Sequence, residues 1–118
     1  MELVIISFIR ETEIVKKEGK LMKFLIGPWN TEASFEFAVG HLKLGQKSPY
    51  HFHTKIEEVV YVISGILEVN IEGKITEMPS ETAAFIKPGL KHSIIAKTDV
   101  YLVEVKNPSD EFDKHVIE

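Results

Sequence analysis

His51 and His53 occupy alternate positions in GQKSPYHFHTKIEEVVYVISG, residues 45–65, and an acidic pair, Glu57 and Glu58, follows just ahead of an apolar run. On an extended chain, residues i and i+2 share a face about 6.6 Å apart. Two imidazoles so placed can lean onto one ion at ligand distances of about 2.0–2.2 Å. A carboxylate across a short bend adds a third, harder donor, and two histidines with one carboxylate and open positions make a divalent transition-metal site. The competing reading is an exposed loop whose histidines hydrogen-bond to water and backbone. From these residues alone both readings stand, and either glutamate could be the donor. A second stretch, FIKPGLKH (85–92), shifts the balance. Its Pro88-Gly89 pair suits the centre of a type II turn, which delivers His92 to the start of the next apolar segment.

Such a site needs strands to hold it. Short apolar runs at 3–9, 22–26, 34–44, 58–63, 66–71, 74–78, 82–86, 93–96 and 100–105 alternate with turn signals such as GPWN, GQKSP, SG, EG, MPS and KPG. Regular short strands broken by Gly and Pro predict an antiparallel sandwich or barrel, an all-β fold. Beyond a turn at 109–115 there is no helical periodicity. In SFEFAVGHLKL, Phe35, Phe37, Val39 and His41 share one face, and Glu36, Ala38, Leu42 and Leu44 the other; either could be inward. Residues 59–63 are apolar on both faces, which predicts a central strand covered on both sides.

At 118 residues the chain is expected to form one domain over 1–118. A net charge of -4, with Arg10 as the sole arginine and no basic face, argues against nucleic acid. No stretch reaches the roughly 18 apolar residues of a membrane span. The apolar run 3–9 is too short, and follows an acidic residue where a signal peptide has basic ones. With no cysteine, the expectation is a cytoplasmic protein.

The two histidine stretches resemble the paired motifs of the cupin superfamily. The first family motif runs glycine, five residues, His-x-His, three or four residues, glutamate, six residues, glycine, and Gly45, His51, His53, Glu58 and Gly65 fit it in full. That spacing selects Glu58 over Glu57. The second motif runs glycine, five residues, proline, one residue, glycine, two residues, histidine, three residues, asparagine. Gly89 and His92 fit; Glu81, Lys87 and Ala96 depart, although Pro88 keeps a proline one place later. The resemblance covers about 34–105 and implies a jelly-roll β-barrel of two antiparallel sheets. It also implies one divalent ion (Fe, Mn, Ni, Zn or Cu) held by His51, His53, Glu58 and His92.

Within that family such sites serve isomerases, dioxygenases and decarboxylases, so the implied function is a metal-dependent enzyme acting on a small oxygen-rich molecule, a sugar or an oxo or hydroxy acid. The alternative is a binding or sensor module that holds a ligand without turnover. Candidates for acid/base work are His41, Tyr50 and Glu104, each with a structural reading beside it. Trp29 is expected as a core or interface anchor, His115 as solvated, Glu57 as outward, and Val60, Val62, Ile94 and Phe85 as core or cavity wall. The resemblance and the apolar opening LVII together predict a homodimer, with that segment added to a neighbour's sheet to protect an edge.

Overall fold

In the computed structural model, which describes residues 4–117, hairpin chemistry sets the first pairings. Strands β1 (Val15–Lys17) and β2 (Lys20–Ile26) are joined by Glu18-Gly19, and β6 (Leu67–Ile71) and β7 (Lys74–Met78) by Glu72-Gly73. Each turn holds both of its residues at positive φ, 54° and 84° in one and 52° and 87° in the other. That backbone matches the twist of antiparallel strands.

The remaining strands are β3 (Glu36–Leu42), β4 (His51–Phe52), β5 (Glu57–Ser64), β8 (Thr82–Ile86), β9 (His92–Ala96), β10 (Val100–Asn107) and β11 (His115–Val116). They form a six-stranded sheet in the order β1-β2-β3-β10-β5-β8 and a five-stranded sheet in the order β11-β4-β9-β6-β7. All pairings between named strands are antiparallel. The all-β reading holds. On β3 the even residues Ala38, Gly40 and Leu42 turn inward. Leu42 joins Val60 and Val62 of β5, Leu67 and Val69 of β6, Ile94 of β9, and Val100 and Leu102 of β10 in the core between the sheets.

Gly65, in the turn after β5, has φ of +92°, and a side chain there would lie 2.1 Å from the carbonyl oxygen of Asp99. No other residue fits that turn.

Three expectations need correction. Residues 4–8 form no strand, and Ile9–Glu11 is a 3-10 turn; Leu3 lies outside the described residues. A lone apolar segment has no sheet partner within its own chain, so periodicity alone did not make it a strand. Strand β5 is central in its sheet, yet Val59, Tyr61 and Ile63 are 36–45% exposed on its outer face. Phe85 of β8 is also exposed on that side rather than in the core. Short strands β1, β4 and β11 were not expected: β1 and β11 are charged or exposed, and β4 consists of site residues.

Candidate metal centre

Strand β4 lies between β9 and β11, which places His51 directly opposite His92. His53 follows one residue beyond β4. Glu58 enters from the other sheet on β5, whose even residues point inward while Glu57 is exposed. The expected turn is present. Gly89 has φ of +89°, the Leu90 N–H points at the Lys87 carbonyl, and the Gly89 N–H donates to the carbonyl of His53 at 2.7 Å. The turn after β8 is thereby tied to the first histidine stretch.

His51, His53, Glu58 and His92 are all buried, with 3–6% of their surface exposed. Each imidazole uses its Nδ1 on a backbone carbonyl: His51 to Pro49 at 2.7 Å, His53 to Asp113 at 2.5 Å, and His92 to Leu90 at 2.9 Å. A carbonyl oxygen only accepts, so each Nδ1 carries its proton and each Nε2 is left with a lone pair. The Nε2 atoms of His53 and His92 lie 3.6 and 3.5 Å from Oε1 of Glu58. None of these three buried atoms has a hydrogen-bond partner. Lone pairs facing a carboxylate in a dry site repel unless a cation or protons intervene.

The three histidines offer ligand atoms within 4.8 Å of one another and could hold a metal ion. Atoms bonded to one ion at about 2.0–2.2 Å lie at most about 4.4 Å apart, so the cluster is close to binding geometry as it stands. Electrostatics favour the same use. Burial, opposed by the Pro49 carbonyl and aided by His92, lowers the pKa of His51 to about 4, so its ring is neutral at pH 7. Burial would raise Glu58, but its pKa is held well below the usual carboxylate range by His53 and His92, when a proton on Nε2 faces Oε1, and by the charge of Lys106.

A recess of about 10 Å³, the space of one water or ion, is lined by His51, Glu58 and His92 together with Lys20, Glu104, Lys106 and Lys114. A cavity of about 450 Å³ opens beside it, walled by His53, Lys17, Phe24, Trp29, Lys106 and Phe112 among others. Ligand cavities commonly have such volumes.

Of the acid/base candidates, Glu104 lies in the recess, but it meets Lys20 Nζ at 3.3 Å rather than a histidine. His41 is on the outer face of β3, stacked on Tyr101 at 4.3 Å and 4°. It lies five residues along the strand from Glu36, roughly 17 Å away. Tyr50 is half-buried, and its carbonyl accepts the Ile117 N–H; its side chain lines neither cavity. Trp29 is 51% exposed and forms cavity wall, with Phe24 edge-on at 6.0 Å, rather than core. His115 is exposed as expected but pairs in β11 and stacks on Phe52.

Sequence reasoning missed Lys20, Lys106 and Asp113. The two-residue period of β10, running through Val100, Leu102 and Glu104, places Lys106 inward and could have revealed it. Asp113, in an irregular segment, gives no such signal. Its carboxylate accepts from the Thr54 N–H and hydroxyl at 2.8 and 2.7 Å, and from the Lys55 and Ile56 N–H groups at 2.7 and 3.1 Å. It therefore shapes the link between His53 and Glu58.

Comparison with known proteins places this geometry in context. The family model described as "Cupin domain" matches residues 38–111. A curated relative, "Polyketide synthase CurC" of Streptomyces cyaneus, is 27% identical over 85 residues, covering 71% of this chain and 55% of the relative. The chain therefore spans about half the length of that protein. Among solved structures, an RmlC-like cupin from Shewanella frigidimarina NCIMB 400 aligns with a TM-score of 0.77 at 22% identity, over 91% of this chain and 93% of the other. The polyketide cyclase RemF from Streptomyces resistomycificus aligns with a TM-score of 0.81 at 18% identity, over 100% and 86%. At these identities the structural likeness bears on the fold.

Proposed function

The chain belongs to the cupin domain family, and on that premise we propose that it is a metal-dependent enzyme acting on a small oxygen-rich molecule. His51, His53, Glu58 and His92 would be the metal ligands. The observation that carries this reading is the convergence of buried, unpartnered acceptor atoms: Nε2 of His53 and His92 and Oε1 of Glu58. A divalent ion there (Fe, Mn, Ni, Zn or Cu) would supply Lewis-acid polarisation of a bound oxygen at the coordination positions the protein leaves open.

The residues of the chain do the rest. The carbonyls of Pro49, Asp113 and Leu90 orient the three rings and hold their protons on Nδ1, a role known to tune metal affinity. Glu58 stays anionic. The larger cavity gives room for substrate beside His53, and Phe24 and Trp29 exclude water from part of its wall. The recess is polar, with Glu104, Lys20 and Lys106 next to the cluster. That favours turnover over a binding module, for which a dry aliphatic cavity would be expected. The reaction class is isomerase, dioxygenase or decarboxylase chemistry on a sugar or an oxo or hydroxy acid.

We also propose a homodimer. The exposed outer face of β5 and β8, with Tyr61, Ile63 and Phe85, and the exposed apolar residues Val4, Ile6, Phe8 and Ile9 support it.

The test compares metal affinity of Glu58→Gln, Glu57→Gln and His92→Ala in one buffer at one pH, because protons compete with the ion. Glu58→Gln and His92→Ala should bind far more weakly than the parent, and Glu57→Gln about as well. Retention of stoichiometric, tight metal in both Glu58→Gln and His92→Ala would end this assignment.

A further inference from the structure

We infer that the substrate of this site is a carboxylate, anchored by Lys106 where the large cavity meets the recess. The inference rests on the reading of the histidine cluster as a metal centre, and it narrows the substrate from any oxygen-rich molecule to an anion.

Lys106 continues the inward-facing period of β10 and stands opposite Glu58 on β5 and Glu36 on β3. It lines both the recess that holds His51, Glu58 and His92 and the cavity that holds His53. Glu104, Glu58 and Glu36 raise its pKa from a distance against the effect of burial, but none of them pairs with it directly as its neighbours are paired. Lys20 is paired with Glu104 at 3.3 Å, and Lys114 is paired with Glu18. Lys106 has no ion pair or side-chain hydrogen bond among the described residues, although it is half-buried. Lys17, on the same cavity wall, also has none, its Nζ lying 6.0 Å from the Phe24 ring centroid. Glu36 faces the same region but accepts the Ser109 hydroxyl at 2.8 Å.

Burial together with repulsion from Lys106 lowers the pKa of Lys17, a repulsion that an anion between the two would relieve. With a divalent ion in place, the ion, Lys20, Lys106 and Lys114 outweigh Glu58 and Glu104 in the recess lining by three positive charges, or by two once Glu18 is set against Lys114, while the larger cavity adds Lys17 and the carboxylates Glu36, Asp110 and Glu111. A half-desolvated excess of that kind selects an anion over a neutral molecule. Beyond it, Phe24, Trp29 and Phe112 offer an apolar wall for the rest of the molecule.

Trp29 is the only tryptophan in the chain and lines the cavity, so its emission reports occupancy. The test titrates zinc-loaded protein with 4-methyl-2-oxopentanoate and with its methyl ester. The acid should bind about tenfold tighter or better, the scale of one charge-assisted hydrogen bond. Lys106→Met should weaken the acid by about tenfold and leave the ester unchanged, while Lys106→Arg should retain most of the preference. The parent stripped with chelator should still prefer the acid, which separates Lys106 from the ion and needs no variant. Equal affinity for acid and ester in stripped parent, no saturable response to the acid, or a folded Lys106→Met that binds the acid as the parent does would each overturn the anchor. Metal content measured on the same samples separates the two ideas. Stoichiometric zinc without acid preference removes the anchor alone, whereas Lys106-dependent acid binding by protein that takes up no zinc removes the metal centre alone.

Discussion

Replacing Asp113 by alanine should be among the most damaging single changes outside the histidine cluster. Asp113 is 4% exposed, and its carboxylate accepts three hydrogen bonds from consecutive backbone amides at Thr54, Lys55 and Ile56 and a fourth from the Thr54 hydroxyl, with His115 Nε2 a fifth contact at 3.2 Å. Hydrogen bonds to a charged group contribute about 1.5–3 kcal/mol each, and a buried donor left without a partner costs about 1–3 kcal/mol. These bonds share one acceptor group and are not additive, so the expected loss for Asp113→Ala is about 3–5 kcal/mol at pH 7. Asp113→Asn should lose nearly as much, because an amide that accepts from Thr54 presents its NH₂ to the Lys55 and Ile56 donors.

The loss should also depend on pH. Burial alone would raise the pKa of Asp113, but the Thr54 hydroxyl and the three amides hold it far below the usual carboxylate range. A depressed carboxyl contributes its full stability above the unfolded-state pKa of about 3.9. Below that value the contribution shrinks by about 1.4 kcal/mol per pH unit until the folded carboxyl is protonated. The gap between parent and variant should therefore be constant from pH 7 to about pH 5 and narrower by about 1 kcal/mol at pH 3. Urea unfolding followed by far-ultraviolet circular dichroism, with chelator present so that metal adds nothing, measures it. A loss below 1 kcal/mol at pH 7, or a gap equal at pH 7 and pH 3, would refute the assigned role. Because the Asp113 carbonyl also accepts the His53 Nδ1 proton, metal affinity of these variants should fall about tenfold.

Glu81 has φ of 67°, left-handed backbone where the family motif has glycine, so Glu81→Gly should stabilise by about 1 kcal/mol in the same assay; destabilisation would show that its side chain contributes more than the strain. Lys20→Met should cost about 3–5 kcal/mol by leaving Glu104 buried without a counterion, and Lys20→Met with Glu104→Leu should recover most of it. If the single and double variants unfold at the same urea concentration, the pairing is not what the lysine supplies. Light scattering at micromolar concentration should give a dimer mass for the parent and a lower mass for Tyr61→Lys, with the fold retained; a parent monomer removes the dimer proposal.

The strands that could be read from sequence are those whose apolar residues are bounded by turn chemistry. Lys74–Met78 and Thr82–Ile86 coincide with the expected limits because Gly73, Pro79 and Pro88 mark their ends. The site was readable where its spacing is regular: His51 and His53 share a face through one strand period, and Pro88-Gly89 makes a turn that has to return the chain to them. What could not be read depends on contacts distant in sequence. Asp113 reaches back nearly sixty residues to Thr54, and nothing around it marks an acceptor for three amides. The outer face of β5 is as apolar as a covered strand, yet it is open within this chain, because periodicity records which side chains are apolar and not what covers them. Trp29 followed a Gly-Pro turn that suited an anchor; its position on a cavity wall depends on packing against Phe24.

Two buried carboxylates line the recess, and their surroundings assign them different work. Glu104 has Lys20 at 3.3 Å, so its charge is already answered within the protein. Glu58 has Lys106 opposite in register, but its Oε1 faces Nε2 of His53 and His92 at 3.6 and 3.5 Å and has no hydrogen-bond partner. On the proposed assignment, the Lys20 pair keeps a second anionic oxygen from competing for the ion, leaving one carboxylate to join the three imidazoles. A buried ion pair is weak support for stability, since well-packed apolar residues of similar volume often do as well. Its retention beside a cluster of unpartnered acceptors is better explained by the charge it removes from the recess. With Glu104 at ion-pair distance from Lys20, the ammonium of Lys106, like that of Lys17, faces the cavity with no carboxylate at ion-pair distance, although Glu104, Glu58 and Glu36 act on it from further off; on the proposal above, a substrate carboxylate is the partner that would complete it.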